Sequence, residues 1–268
     1  MISFVGAGPG AADLLTVRAV DRIARADVVV WASSLVDAAV LDHTASGVEL
    51  HDSAGMTLED VVAVYQAHPA ARVVRLHSGD LALYSAVQEQ VGWCEANGRD
   101  WEVVPGVGAL AAASALAGRE LTVPGVAQSV IATRLGGRTA ASMPPGETVA
   151  SFARHRTTLV VYLSAARPEE LQDQLLADGE GYPPDTPAAL VVRASWPDER
   201  VHRTTVGQLA ATMRADGARV TALVLVGPAL AGPAARCHLY DPDYAHAHRR
   251  RSLPGSTEGR PTSPGSRW

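Results

Sequence analysis

The sequence predicts an α/β protein built from two α/β domains with mostly parallel or mixed sheets. Two observations carry that expectation. Over residues 1–110, short apolar strands alternate with segments of helical spacing, which implies right-handed crossovers and a parallel sheet. Two of those strands also run straight into glycine turns, residues 2–5 into Gly6-Ala7-Gly8-Pro9-Gly10 and residues 72–76 into His77-Ser78-Gly79-Asp80. Open parallel sheets bind ligands beyond the carboxyl ends of their strands, where glycine lets backbone approach a ligand closely.

Each element has its own signal. Strand 2–5 precedes a helix with apolar positions Leu14, Val17, Val20 and Ile23 and Thr16 near its start. Strand 28–31 precedes a helical stretch from Leu35 to Leu41. Strand 47–50 enters His51-Asp52-Ser53-Ala54-Gly55-Met56-Thr57, where Thr57 with Asp60 three residues on predicts a capped helix. Strand 72–76 leads to a helix through Tyr84, Val87 and Val91, and strand 101–104 ends at Pro105-Gly106-Val107-Gly108. An Ala-rich helix over 109–122 joins the two domains. Strands then follow at 129–133, 158–163, 188–192, 199–204 and 222–226, with helices at 147–154, 168–177 and 206–215. Only 199–204 lacks a preceding helix, so a hairpin or an antiparallel edge is expected there. The domains are expected at 1–112 and 113–238. Residues 239–268 are Arg-, Pro-, Ser- and Gly-rich, and a disordered tail is expected.

Composition narrows the classes. The 268 residues are 47% hydrophobic, enough for a sizeable core, and the net charge is −5 with all 23 basic residues arginine. No nucleic-acid footprint is visible in that balance. No apolar run approaches the ~20 residues that span a bilayer, and the first residues lack a secretory signal. A cytoplasmic protein with neither membrane nor nucleic-acid partner is expected. Cys94 and Cys237 lack a Cys-x-x-Cys spacing, and the nine His fall into no zinc pattern. No metal is expected.

The first turn fits Gly-x-Gly-x-x-Ala, which suggests an NAD(P)-binding oxidoreductase. Pro9 argues against it, because it removes an N–H from the loop that would cradle a pyrophosphate. The ribose-binding acid expected about 20 residues later is also missing, since Val28-Val29-Val30-Trp31 runs into Ala32-Ser33-Ser34.

With the turns placed, the order of segments resembles the tetrapyrrole (corrin/porphyrin) methylase family. The matching pieces are Val5–Gly10, Val74–Asp80 with Tyr84-Ser85, Glu102–Val107, Thr133-Arg134, Tyr162-Leu163-Ser164, Ala194–Glu199 and Leu225–Pro228. They span about residues 2–230, in order. Leu81 departs from the family, which commonly has Pro after Gly-Asp. Residues 51–57, 75–80 and 193–199 look most like those of the members that methylate C-11 of precorrin-4 in cobalamin biosynthesis. The resemblance implies two α/β domains, a donor site in the cleft between them, a homodimer and a tetrapyrrole substrate. It also implies S-adenosylmethionine as methyl donor and S-adenosylhomocysteine as product.

Carried over by position, the donor-binding set is Pro9, Ser78, Gly79, Asp80, Leu83, Gly108, Ala109, Leu163 and Ala194. Gly79 would let main chain reach the amino-acid end of the donor, Asp80 would face its ammonium, and Leu163 and Ala194 would bed its adenine. The donor bears no phosphate, so a proline-containing loop suits it. Candidate proton acceptors are His51, Asp52 and His77, each of which fits equally well as a structural residue at a strand end. Arg134 and Arg138 are candidates to clamp substrate carboxylates. Trp196-Pro197 reads either as a turn anchor or as a substrate contact. The competing functions are methylation at another ring carbon, methylation of a non-tetrapyrrole such as a modified protein histidine, the oxidoreductase, and a catalytically silent scaffold.

Overall fold

The computed structural model describes residues 1–232, 237–253, 255–256 and 258. The chain packs as two compact units. The first is Met1–Ala117 with Val191–Val201 and Thr221–Leu223; the second is Gly118–Leu190, His202–Val220 and Val224 onward. The segment 191–201 thus belongs with the first unit, although it follows about seventy residues of the second in sequence.

In the first unit, β1 (Ile2–Gly6), β2 (Val28–Trp31), β3 (Glu49–Asp52), β4 (Val73–His77) and β5 (Trp101–Val104) form one sheet in the order β3-β2-β4-β1-β5. All four pairings are parallel. The pleat sends successive side chains to opposite faces. Ile2, Phe4, Val28, Val30 and Val73 pack with Val61, Val64 and Tyr65 of α2 (Leu58–Ala67) and with Val87, Val91 and Cys94 of α3 (Val87–Ala96). Val5, Val29, Val74, Leu76 and Val104 pack on the other face with Ala19 and Ile23 of α1 (Val17–Ala24). The two faces are therefore read directly from odd and even positions.

The expected α/β architecture and strand alternation hold, and the helix ends are sharper than the apolar spacing alone implies. Leu14 lies on a 3₁₀ turn, and α1 begins after Thr16, whose Oγ1 accepts from Ala19 N–H. Thr57 and Asp60 form the expected capping box on α2. The stretch expected to be helical from Leu35 is instead a 3₁₀ segment, Ala38–His43, capped by Asp37. Tyr84 and Ala86 have φ of +56° and +52°, so α3 starts only at Val87. The Ala-rich helix α4 (Ala109–Ala117) stops short of residue 122 because Gly118 turns left-handed at φ +61°.

A second sheet, most of whose residues belong to the second unit, comprises β6 (Val130–Arg134), β7 (Thr158–Tyr162), β8 (Pro187–Val192), β9 (Arg200–Thr205) and β10 (Ala222–Val226) in the order β6-β7-β10-β8-β9. β6 and β7 are parallel and β7 and β10 antiparallel, so this sheet is mixed. β9 sits at the edge, where the sequence expected it. Helices α5 (Val149–Ala153), α6 (Pro168–Leu176) and α7 (Leu209–Asp216) contribute Val149, Leu171, Leu175, Leu209 and Met213 to the core. Beyond it, the Arg249 guanidinium donates to the carbonyls of Asp241 and Tyr244. Residues 259–268 lie outside the described residues.

Candidate functional site

The chain leaves β1 for β2 in one direction along the sheet and leaves β4 for β5 in the other, with α1 and α3 on opposite faces. β1 and β4 are neighbours, so their carboxyl ends form a topological switch point, the place where open α/β sheets receive ligands. The loops after them are tied together there. Gly8 N–H donates to Gly79 O at 3.1 Å, Gly79 N–H to Gly8 O at 2.7 Å, and Ala7 N–H to His77 O at 2.8 Å. The bridge requires φ of +77° at Gly8 and +71° at Gly79, which glycine alone adopts without strain.

A third loop closes the hub. A Cβ on Gly6 would sit 2.6 Å from Gly106 Cα and 2.8 Å from Gly79 O, and one on Gly106 would overlap Gly79 O. Three backbones thus meet at side-chain-free positions. Next to them, one carboxylate oxygen of Asp80 lies against Gly108, while the other accepts from Ala82 N–H at 2.9 Å and Leu83 N–H at 3.4 Å. A Cβ on Gly79 would lie 3.6 Å from Ala109 N. Leu81, where the family commonly has Pro, is buried among the α2 and α3 side chains, so its side chain anchors the turn from beneath.

The segment 193–199 packs on the first loop. Trp196 lies against Gly10, so closely that a Cβ there would overlap the indole, and its Nε1 donates to Pro9 O at 2.9 Å. Ala11 N–H donates to Ser195 Oγ at 3.1 Å. Trp196 is therefore a turn anchor. The Arg193 guanidinium stacks 4.0 Å from the Trp196 ring and pairs with Asp198, and Glu199 accepts from Ser195 N–H. Arg193 and Ser195, on either side of Ala194, both have positive φ, +50° and +68°. Non-glycine residues persist there only where contacts over-determine them, which is common at ligand sites.

Eight of the nine expected donor-binding residues thus lie in the first unit and are linked by direct contacts or through immediate sequence neighbours. Leu163 lies in the second unit after β7, exposed and at φ +52°. Arg134 donates to Gly136 O and Ser142 Oγ. Arg138 falls in a 3₁₀ turn, and its side chain lies outside the described residues. Sequence reasoning did not find the contact of Gly6 with Gly106, for which the glycines after β1 and β5 were the available signal.

The three candidate proton acceptors are not gathered into one constellation. His51 and Asp52 are consecutive on β3 and so point to opposite faces. His51 lies beside Val30, and Val30 beside Arg75, two residues before His77. Two strand spacings put His51 roughly 10 Å from β4. Asp52 accepts from Ser33 N–H, Ser33 Oγ and Ala54 N–H, and the Ser33 bonds hold its carboxyl below the usual range. It organises a turn. His51 Nε2 lies 2.7 Å from Glu49. His77 is buried, with Nε2 unpartnered among the described residues, and burial, reinforced by the nearby Arg75 cation, pushes its pKa down to about 4.

The loop geometry excludes a pyrophosphate cradle. The N–H groups of Ala7, Gly8 and Ala11 are spent inside the protein, Pro9 has none, and α1 begins at Val17, seven residues past Gly10, not on the glycines. The strand order also differs from the 3-2-1-4-5 of dinucleotide-binding sheets.

Comparison with known proteins agrees with this geometry. The family profile "Tetrapyrrole (Corrin/Porphyrin) Methylases" matches residues 1–210. A precorrin-4 C(11)-methyltransferase of Sinorhizobium is 43% identical over 93% of this chain and 98% of its own length. The crystal structure of the cobalt precorrin-4 methyltransferase CbiF superposes with a TM-score of 0.81 at 39% identity, covering 85% of this chain and 95% of that one. A uroporphyrin-III C-methyltransferase from Thermus thermophilus, solved with S-adenosylhomocysteine, gives 0.69 at 31% identity over 86% and 98%. The chain belongs to the tetrapyrrole (corrin/porphyrin) methylase family.

Proposed function

We propose that this protein transfers a methyl group from S-adenosylmethionine to C-11 of precorrin-4 or its cobalt form, in cobalamin biosynthesis. The observation that carries this reading is near-full-length similarity to C-11 methyltransferases, higher in identity than that to the uroporphyrin-III enzymes. The oxidoreductase reading fails on the spent N–H groups of the first loop.

The donor's fit rests on the glycine hub. Pro9, Ser78, Gly79, Gly108 and Ala109 would present main chain to it, and Asp80 would offer a carboxylate oxygen to its ammonium. Leu83, Leu163 and Ala194 would supply apolar contact. The bound donor supplies an activated sulfonium methyl, so the chain's task is alignment, and alignment accounts for roughly 7–11 kcal/mol of barrier in favourable cases. Of the three acceptor candidates we retain His77. Held neutral by burial, it keeps a lone pair on Nε2, whereas Asp52 and His51 are committed to Ser33 and Glu49. Arg134 and Arg138 are proposed to meet the substrate's carboxylates. A homodimer working in the cytoplasm completes the reading.

The test is incubation of the purified protein with ¹³C-methyl donor and enzymatically generated precorrin-4, with the label located by NMR. A single labelled methyl at C-11 is expected; a label at any other ring carbon would replace the proposal.

A further inference from the structure

A second cluster lies apart from the glycine hub, on the edge strand of the first sheet. Glu49 and His51 are two residues apart on β3 and so share the face covered by α2, and His68 closes the end of α2. The β3–α2 crossover brings the three together. One ligand atom from each, a Glu49 oxygen and a ring nitrogen of each histidine, lies within 4.8 Å of the others. Glu49 Oε1 is 2.7 Å from His51 Nε2, and Glu49 Oε2 is 3.0 Å from His68 Nε2. Tetrahedral zinc with bonds near 2.0–2.1 Å separates its ligand atoms by about 3.3 Å, so three ligand atoms already within 4.8 Å of one another need at most about 1.5 Å of side-chain adjustment.

Two features suit this cluster to an ion. His68 Nδ1 lies 2.9 Å from Val64 O. That bond fixes the ring and leaves Nε2 facing the cluster, the support that metal-bound imidazoles usually receive from a backbone carbonyl. The histidine side chains are 24% and 22% exposed and that of Glu49 51%, so solvent reaches the cluster and could supply a fourth ligand. We propose that Glu49, His51 and His68 form a binding site for a divalent transition-metal ion of the zinc class, clamping the edge strand β3 to the end of α2. Two imidazoles and a single carboxylate select zinc, cobalt or nickel over magnesium, which prefers an all-oxygen octahedron.

The full-length protein, stripped with a chelator and dialysed, is titrated with Zn²⁺ against a chromogenic chelator, then with Co²⁺ while the visible spectrum is recorded. One equivalent is expected to bind ahead of any other, with a tetrahedral Co²⁺ band, and Mg²⁺ in excess should not displace it. His68→Gln and Glu49→Gln should each weaken that equivalent at least tenfold and remove both the band and the Zn²⁺-induced rise in thermal midpoint. Circular dichroism checks that both variants fold; if one does not, the other decides. A variant with His238, His246 and His248 replaced by Ala should keep the site. Unchanged binding in the folded Gln variants, or loss of the first equivalent in the tail variant alone, would overturn the proposal.

Discussion

Two turn regions of the first unit meet the same geometric demand by opposite means. After β1, β4 and β5 the backbone makes its close approaches and left-handed turns with glycine, and no side chain could replace it at Gly6 or Gly106. In the 193–199 segment, Arg193 and Ser195 adopt positive φ without glycine, held by Trp196 on Gly10, by Arg193 with Asp198 and by Ser195 with Ala11 and Glu199. The first device is built into backbone and is intolerant of substitution. The second is distributed over side-chain contacts of about 1 kcal/mol each, so its members should be separable.

That contrast orders the expected effects. Gly106→Ala should be the most damaging, costing about 3 kcal/mol or more in urea unfolding, because neither Gly79 O nor Gly6 can move aside without breaking the hub. A loss under about 1 kcal/mol would show the hub to be pliable. Acidification comes next. With the His77 pKa near 4 in the folded state and 6.5 in the unfolded chain, lowering the pH lets the unfolded chain take up a proton that the folded one refuses, so stability falls through that window. Unfolding free energies from urea titrations at pH 7 and 5 should differ by about 2 kcal/mol from this group, and His77→Gln should flatten the difference. Trp196→Phe removes the bond to Pro9 O but keeps a ring on Gly10, and should cost about 1 kcal/mol. Ser195→Gly should be smallest. Relief of about 1 kcal/mol of left-handed strain offsets the lost bond from Ala11, leaving a net change within roughly 0.5 kcal/mol.

The same contrast marks how much the sequence disclosed. The glycine turns were legible because glycine after an apolar strand has a backbone meaning, and the strands were legible from apolar runs such as Val28–Val30. Leu81 was legible as a departure, though not as a core side chain. The geometry of the 193–199 segment was not legible, since Arg and Ser carry no left-handed signal and the partner of Ser195 is Ala11, 184 residues away. Helix ends were blurred where a polar or left-handed residue, such as Ala86, interrupted an apolar period. The separation of His51 from Asp52 was available from strand alternation alone. The Glu49–His51–His68 cluster was hidden because a crossover, not a local spacing, brings its members together.

The central claim is that the hub at the ends of β1, β4 and β5, with Asp80 beside it, receives a sulfonium donor rather than a dinucleotide. Calorimetric titration of the wild-type protein and Asp80→Asn with S-adenosylhomocysteine and with NADH tests it most directly. The account predicts saturable binding of S-adenosylhomocysteine, weakened roughly 10- to 100-fold by Asp80→Asn through loss of a charge-assisted bond, and no binding of NADH. Saturable NADH binding, or S-adenosylhomocysteine affinity indifferent to Asp80→Asn, would contradict it.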